Sequence, residues 1–167
     1  TLREPLTARK IEVVNNLPDS LPVLHADRSK IYRLFELLFK DELAMLPAGS
    51  RITIAAELSG NARPEILMRI TDNGPGLPAE ALRVVCDPFV VQAGVPSEYG
   101  INLMACFFIV HHHGGKIDAQ NLPGRGTVFT LRLPLRPEPA AAAPTEADFL
   151  QKAMLNDGLW EKLLAGG

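Results

Sequence analysis

Three polar residues stand where the surrounding sequence pattern is apolar. Asp72 ends the run "EILMRITD" and shares its strand parity with the isoleucines and the methionine of that run. Thr127 shares the parity of the apolar residues in "GTVFTLRL", and Asp41 lies in the apolar stripe of "RSKIYRLFELLFKDELAM". A buried carboxylate without a partner is costly, and the chain offers no obvious partner for either acid. The pattern therefore predicts that a ligand satisfies them.

The residues around these acids indicate which ligand would fit. In "TDNGPGLP", Gly74 and Gly76 let a flat ring approach the backbone, and the carboxylate of Asp72 can accept a hydrogen bond from the exocyclic amine of a purine. Asp41 offers an oxygen ligand for magnesium, and a helix N-terminus around 97–100 suits phosphates. These residue types predict a site for ATP and Mg²⁺, although the Walker motif GxxxxGK is absent.

The elements that must position these residues alternate between helices and hairpins. A helical period from Asp27 to about Met45 predicts a core-facing helix with Asp27 as its N-cap, and "INLMACFFIVHHH" predicts a buried helix that ends at Gly114. "RITIAAEL" and "EILMRIT" predict an antiparallel hairpin. "KIEVVNN", "KIDAQNL" and "TVFTLRLPL" predict further strands, and "LPAEALRVVCDPF" predicts a short helix. The order predicts an α+β fold, a two-layer α/β sandwich whose mixed, mostly antiparallel sheet carries helices on one face.

Composition and charge narrow the classes of function. The 167 residues, 47% of them hydrophobic, suffice for one domain with a real core. The formal charge of −2 disfavours a nucleic-acid partner, and the two cysteines, at no metal-binding spacing, fit a reducing compartment. The longest apolar run is too short to span a bilayer. We expect a cytoplasmic fragment, free or part of a larger receptor, without direct membrane contact.

The composition changes near residue 135. We expect residues 1–135 to form the domain and 136–147, "RPEPAAAAPTEA", to form a linker rich in proline and alanine. Residues 148–167 have the pattern of an amphipathic C-terminal helix, which Gly158 weakens by about 1 kcal/mol. This segment can dock on the domain or bind a partner.

Five motifs, in order, resemble those of the ATP-binding catalytic domain of sensor histidine kinases, within the Bergerat-fold group that includes gyrase, Hsp90 and MutL. In chain order, the similar stretches are the asparagine box "ADRSKIYRLFELLFKDELAMLPAG", the first glycine box "DNGPGLP", the phenylalanine box "DPF", the second glycine box "YGINLMACFFIVHHHGGKI" and the last glycine box "GRGTVFTLRLPL". The resemblance implies adenine contacts at Asp72, Gly74, Gly76 and Thr127, with Leu77 in the same site.

The same resemblance implies the remaining parts of the site and its partners. Asp41 would bind magnesium, and Gly100, Asn102 and Leu103 would form the lid hinge and the phosphate side. The implied cofactors are ATP and Mg²⁺. The implied partners are a separate histidine phosphoacceptor and dimerisation domain and a response regulator. No residue is assigned a catalytic role, since a base would come with the acceptor.

Several positions depart from the family pattern, all on the phosphate side. Asp41 stands where the family usually has an asparagine, and Leu37 stands where an earlier asparagine or acid is common. Asn102 interrupts the usual GxG of the second glycine box, and the lid at 90–99 has no basic residue. Neutralising the phosphates would therefore fall to the metal, the helix dipole, Lys40 and Arg125.

Three functional hypotheses follow. A catalytic domain of a sensor histidine kinase would supply the phosphoryl group for a histidine on another domain, and it could not act alone because no segment reads as a phosphoacceptor helix. A stand-alone ATPase would need an acid near position 37, which Leu37 disfavours. A degenerate regulatory module of the same fold would bind nucleotide weakly or not at all and dock to partner proteins.

Overall fold

The structure is a computed structural model, and it describes residues 3–60, 62–79, 82, 85 and 98–137. Its elements are α1 (Arg3–Ala8), β1 (Glu12–Asn16), α2 (Arg28–Met45), β2 (Arg51–Ser59), β3 (Glu65–Asp72), α3 (Glu98–His112), β4 (Lys116–Leu122) and β5 (Gly126–Pro134). The helices and strands predicted over α2, α3 and the five strands are confirmed, whereas α1 was not predicted. Most of the short helix expected over 77–89, and the chain from 138 onward, lie outside the described residues.

The five strands form one sheet in the order β1-β2-β3-β5-β4. β1 pairs with β2 in parallel, and the other three pairs are antiparallel, which confirms the mixed, mostly antiparallel sheet. In the β3 to β5 pairing, Thr71 lies opposite Val128. The end of β3 therefore adjoins the start of β5, and Asp72 and Thr127 become neighbours.

One face of the sheet is buried with α2 and α3 into a single apolar core. Asp27 caps α2 as predicted, because its carboxylate accepts hydrogen bonds from the backbone N–H groups of Ser29 at 2.9 Å and Lys30 at 3.2 Å. The buried residues of α2 are Leu34, Leu37, Leu38, Asp41, Glu42 and Leu43. Two acids thus face the core from one helix. Of the described helices, none is both long and apolar enough to cross a membrane.

His113 joins the start of α2 to the end of α3. The backbone N–H of Asp27 donates to Nε2 of His113 at 3.1 Å, and Nδ1 lies 2.7 Å from the carbonyl oxygen of Ile109. The first contact needs an unprotonated ring nitrogen, and the second needs a protonated one. These bonds therefore assign the neutral tautomer with its proton on Nδ1. The ring is only 5% exposed, so the contact fixes two elements that carry the site.

Candidate functional site

The acid at the end of β3 is buried, and hydrogen bonds from the backbone fix the orientation of its carboxylate. Asp72 is 5% exposed. Its Oδ1 accepts a hydrogen bond from the backbone N–H of Gly74 at 2.6 Å, and its Oδ2 accepts one from the backbone N–H of Thr127 at 2.9 Å. The expectation that the chain provides no partner for Asp72 is therefore wrong. Each carboxylate oxygen has a second lone pair, so Asp72 can still accept a hydrogen bond from a ligand.

Glycines surround this carboxylate because the backbone packs directly on it. Gly126 has φ +84°, and a Cβ there would collide with Oδ1 of Asp72 and lie 2.5 Å from its carbonyl oxygen. A Cβ at Gly74 would collide with the side chain of Leu46 and lie 2.9 Å from Oδ1 of Asp72. The predicted reason for glycine, space for a flat ring, is thus joined by a structural one: larger residues would displace the acid itself.

Asn121 on β4 holds the glycine turn against the strands. Its Oδ1 accepts a hydrogen bond from the backbone N–H of Leu77 at 2.9 Å, and its Nδ2 donates to the carbonyl oxygen of Leu77 at 2.8 Å. The hydroxyl of Thr127, which is 2% exposed, donates to the same Oδ1 at 3.3 Å. Sequence reasoning missed Asn121. The hairpin register, in which it lies opposite Thr127, could have identified it.

Asp41, the predicted magnesium ligand, is 6% exposed on α2. Its Oδ1 accepts a hydrogen bond from Nδ2 of Asn102 on α3 at 2.7 Å, whereas its Oδ2 is buried without a hydrogen-bond partner in the described part of the chain. Burial raises the pKa of Asp41 to about 6, and the bond from Asn102 opposes that rise. An orphan carboxylate oxygen fits a hard cation.

The protein groups around Asp41 fit a magnesium ion that takes most of its ligands from a bound nucleotide and water. Within the described ranges, no group of three or more His, Cys, Asp or Glu residues is arranged to hold a metal. Among the described residues, Asp41 would thus be the acid that offers such a cation an oxygen, and phosphate oxygens and water would supply further ligands.

Glu42 is a buried acid that the sequence analysis did not select. It is 6% exposed, and burial, together with the charges of Asp72 and Asp41, raises its pKa to about 8. It was missed because it lies about 100° around the helix from Asp41. Its neighbours at i−4 and i+4, Leu38 and Leu46, are both buried, and that spacing was the available signal.

A narrow recess with about 280 Å³ of empty space, part of it open to solvent, lies between α2 and the ends of β3 and β5. Its lining consists of Asp41, Glu42, Met45, Leu46, Asp72, Pro75, Gly76, Leu77, Thr127 and Phe129. Half of this lining was predicted from the sequence. Because the figure of about 280 Å³ includes open solvent, the enclosed part of the recess is smaller.

Five predicted residues lie away from this lining, and one of them, Gly74, bonds to Asp72 through its backbone N–H. Asn102 reaches the site only through its bond to Asp41, and Leu103, at 1% exposure, is part of the core. Gly100 belongs to the first turn of α3. Lys40 is exposed, and its Nζ lies 3.6 Å from the carboxylate of a glutamate four residues earlier. The phosphate-side roles of these other four stay predictions, and 86–97, with most of the predicted lid, lie outside the described residues.

Comparisons with known proteins bear on this arrangement. Residues 26–137 match the family described as "Histidine kinase-, DNA gyrase B-, and HSP90-like ATPase". The chain belongs to this family. It is 31% identical over 128 residues to the alginate biosynthesis sensor protein KinB of Pseudomonas aeruginosa, covering 77% of this chain and 21% of KinB. It is 40% identical over 101 residues to the signal transduction histidine-protein kinase AfsQ2 of Streptomyces coelicolor, covering 59% of this chain and 18% of AfsQ2.

Solved structures share the fold of this histidine kinase-like ATPase domain. The nucleotide-free catalytic domain of histidine kinase ThkA superposes with a TM-score of 0.65 at 23% identity, covering 82% of this chain and 88% of that one. The mycobacterial sensor histidine kinase MprB gives 0.61 at 24% identity, covering 82% and 91%. The predicted fold class and family are therefore confirmed. The chain spans only about a fifth of the length of KinB and AfsQ2.

Proposed function

We propose that this ATPase domain binds ATP with magnesium and supplies the phosphoryl group for a histidine on a separate phosphoacceptor domain. A response regulator would then receive the phosphate, in a cytoplasmic two-component pathway. The observation that carries the proposal is the buried carboxylate of Asp72, which two backbone N–H groups hold at the edge of a recess. The sensor and histidine-kinase names of its relatives support the same activity.

The strand side of the recess suits adenine. Asp72 can accept a hydrogen bond from the exocyclic amine, and apolar side chains such as Met45, Leu46 and Phe129 can cover the ring. Guanine presents a carbonyl oxygen where adenine has its amine, so a carboxylate fixed at that point would repel it. The fixed orientation of Asp72 thus provides selection among purines.

The helix side suits a cation bound with phosphates. Asn102 holds Oδ1 of Asp41 and leaves Oδ2 for the metal. Magnesium, when bound, would neutralise the phosphates and align them for in-line transfer. The charge of Asp41 would otherwise repel the triphosphate, so ATP binding should depend strongly on the metal.

Calorimetric titration of the chain with ATP, ADP and adenosine, with and without magnesium, tests this proposal. We expect chelation to weaken ATP binding by about tenfold or more and to leave adenosine binding unchanged, because adenosine carries no phosphate for Asp41 to repel. Asp41→Ala should lose most of the magnesium effect, whereas Asp19→Ala, which removes an exposed loop acid, should keep it. An equal loss for ATP and adenosine would show that Asp41 does not serve the metal.

A second candidate function, a regulatory module that binds nucleotide weakly and docks to partners, is favoured by two features. Glu42 places a further carboxyl group in the recess, and Leu37 is buried at the turn that precedes Asp41. The same titration separates the two functions. Absence of binding by folded protein would favour the docking module.

A further inference from the structure

The recess contains one acid that the proposed function does not use, Glu42. We propose that the Glu42 side chain occupies space that the base must enter and so weakens the binding of adenine nucleotides to this domain. This inference rests on the proposed function and deepens it. It makes Glu42 a determinant of affinity, opposite in effect to Asp72.

The position of Glu42 along α2 keeps its side chain inside the recess. Leu38 and Leu46, one turn before and after it, are 1% and 2% exposed, so this face of the helix is held in the core. Glu42 itself is 6% exposed and lines the recess together with Asp72 and Phe129. The side chain therefore lies largely inside the recess.

The lining gives Glu42 no compensating partner. Apart from the acids and Thr127, the side chains on the described lining are apolar, and none of them is basic. The hydroxyl of Thr127 already donates to Asn121. A base that enters must therefore displace the Glu42 side chain or strip water from its carboxyl group, and the interactions of the base with Asp72 have to compensate for that cost.

The small size of the recess points to the same conclusion. Its empty space of about 280 Å³ includes a part that is open to solvent. Removing the carboxyl group and one methylene of Glu42 would enlarge it beside Asp72 without touching the hydrogen bonds that orient Asp72, since those come from the backbone of Gly74 and Thr127.

Titration of ATP and adenosine into the wild-type chain and three variants, with magnesium present, tests the inference. We expect Glu42→Ala to bind both ligands about tenfold more tightly than wild type, a gain worth about 1.4 kcal/mol. Glu42→Gln, which keeps the length of the side chain, should stay within about threefold of wild type, since the effect comes from occupied space. Glu57→Ala, which removes an exposed acid from β2, should bind as wild type does.

Unchanged or weaker binding by Glu42→Ala, with wild type still binding, would overturn the inference and leave the proposed function standing. In particular, weaker binding by Glu42→Ala with normal binding by Glu42→Gln would show that Glu42 contacts the base favourably. If neither wild type nor any variant binds, the proposed function fails and this inference fails with it. Should Glu42→Ala not fold, judged by circular dichroism, Glu42→Val removes the same carboxyl group and carries the same expectation.

Discussion

The two sides of the recess satisfy their buried acids in different ways. At the end of β3, both oxygens of Asp72 accept hydrogen bonds from backbone N–H groups. On α2, one oxygen of Asp41 has no partner within the described residues, and burial raises the pKa of its neighbour Glu42 to about 8. The strand side is complete without a ligand, whereas the helix side is not.

This difference follows from the type of element that carries each acid. A strand end adjoins a turn and a neighbouring strand whose N–H groups can bond a carboxylate. Inside a helix the backbone groups bond one another, so a buried acid there depends on side chains from other elements. Asn102 supplies one such bond to Asp41. The base side is therefore preorganised by backbone, and the helix side is left for a metal and phosphates to complete.

The largest expected effect tests the backbone support of Asp72. Gly126→Ala should lower the free energy of unfolding by roughly 4 kcal/mol, because the new Cβ would collide with Asp72 at a φ of +84°. Gly124 is the matched control: its φ is +68°, and a Cβ there would meet nothing within 4 Å. Gly124→Ala should therefore cost only the backbone strain, about 1 kcal/mol. Equal losses in urea denaturation would contradict the proposed contact.

The next effect concerns the pH dependence of stability on the helix side. The pKa of Glu42 rises from 4.5 to about 8 on folding, so between these values the folded protein keeps a proton that the unfolded chain has released. The free energy of unfolding should therefore fall by about 3 kcal/mol as pH rises from about 5 to about 8. Glu42→Gln should remove most of that slope in denaturation curves. A stability that rises across this window would contradict the assignment.

Periodicity and parity alone were enough to predict most of the fold. Strand alternation identified the hairpin of β2 and β3, and the cap at Asp27 together with a helical period located α2 to within a residue. Parity also placed Asp72 and Thr127 on the buried face. These features depend on local sequence, so no knowledge of the tertiary structure was needed.

The partners of the buried acids could not be predicted, because they come from distant parts of the chain or from the backbone. Asp72 is satisfied by N–H groups whose direction depends on turn geometry. Glu42 lies at helical spacing from Leu38 and Leu46, so its burial could have been predicted, but not that it shares a recess with Asp72. Sequence spacing gives the face of an element but not what lies opposite that face.

A smaller effect is expected for Asp72→Asn. An amide nitrogen at Oδ1 or Oδ2 would face a backbone N–H, so one hydrogen bond is lost and a donor is left unpaired. The free energy of unfolding should fall by about 2 kcal/mol, while nucleotide binding is lost. Binding must therefore be measured where the variant is still folded. A variant as stable as wild type would show that the two backbone bonds contribute little.

The smallest expected effect, and the one of opposite sign, concerns Asp41→Asn. An amide oxygen can still accept the hydrogen bond from Asn102, and the buried charge disappears. Because burial raises the pKa of Asp41 to about 6, the wild-type group is charged above that pH and neutral below it. Without nucleotide, the variant should be more stable by about 1 kcal/mol at about pH 8, and this difference should shrink as pH falls through about 6 and disappear only below the unfolded pKa of 3.8. Asp19→Asn, at an exposed position, should show no such difference. A loss of stability at the higher pH would mean that the carboxylate of Asp41 is already compensated within the protein, and the contrast between the two sides would disappear.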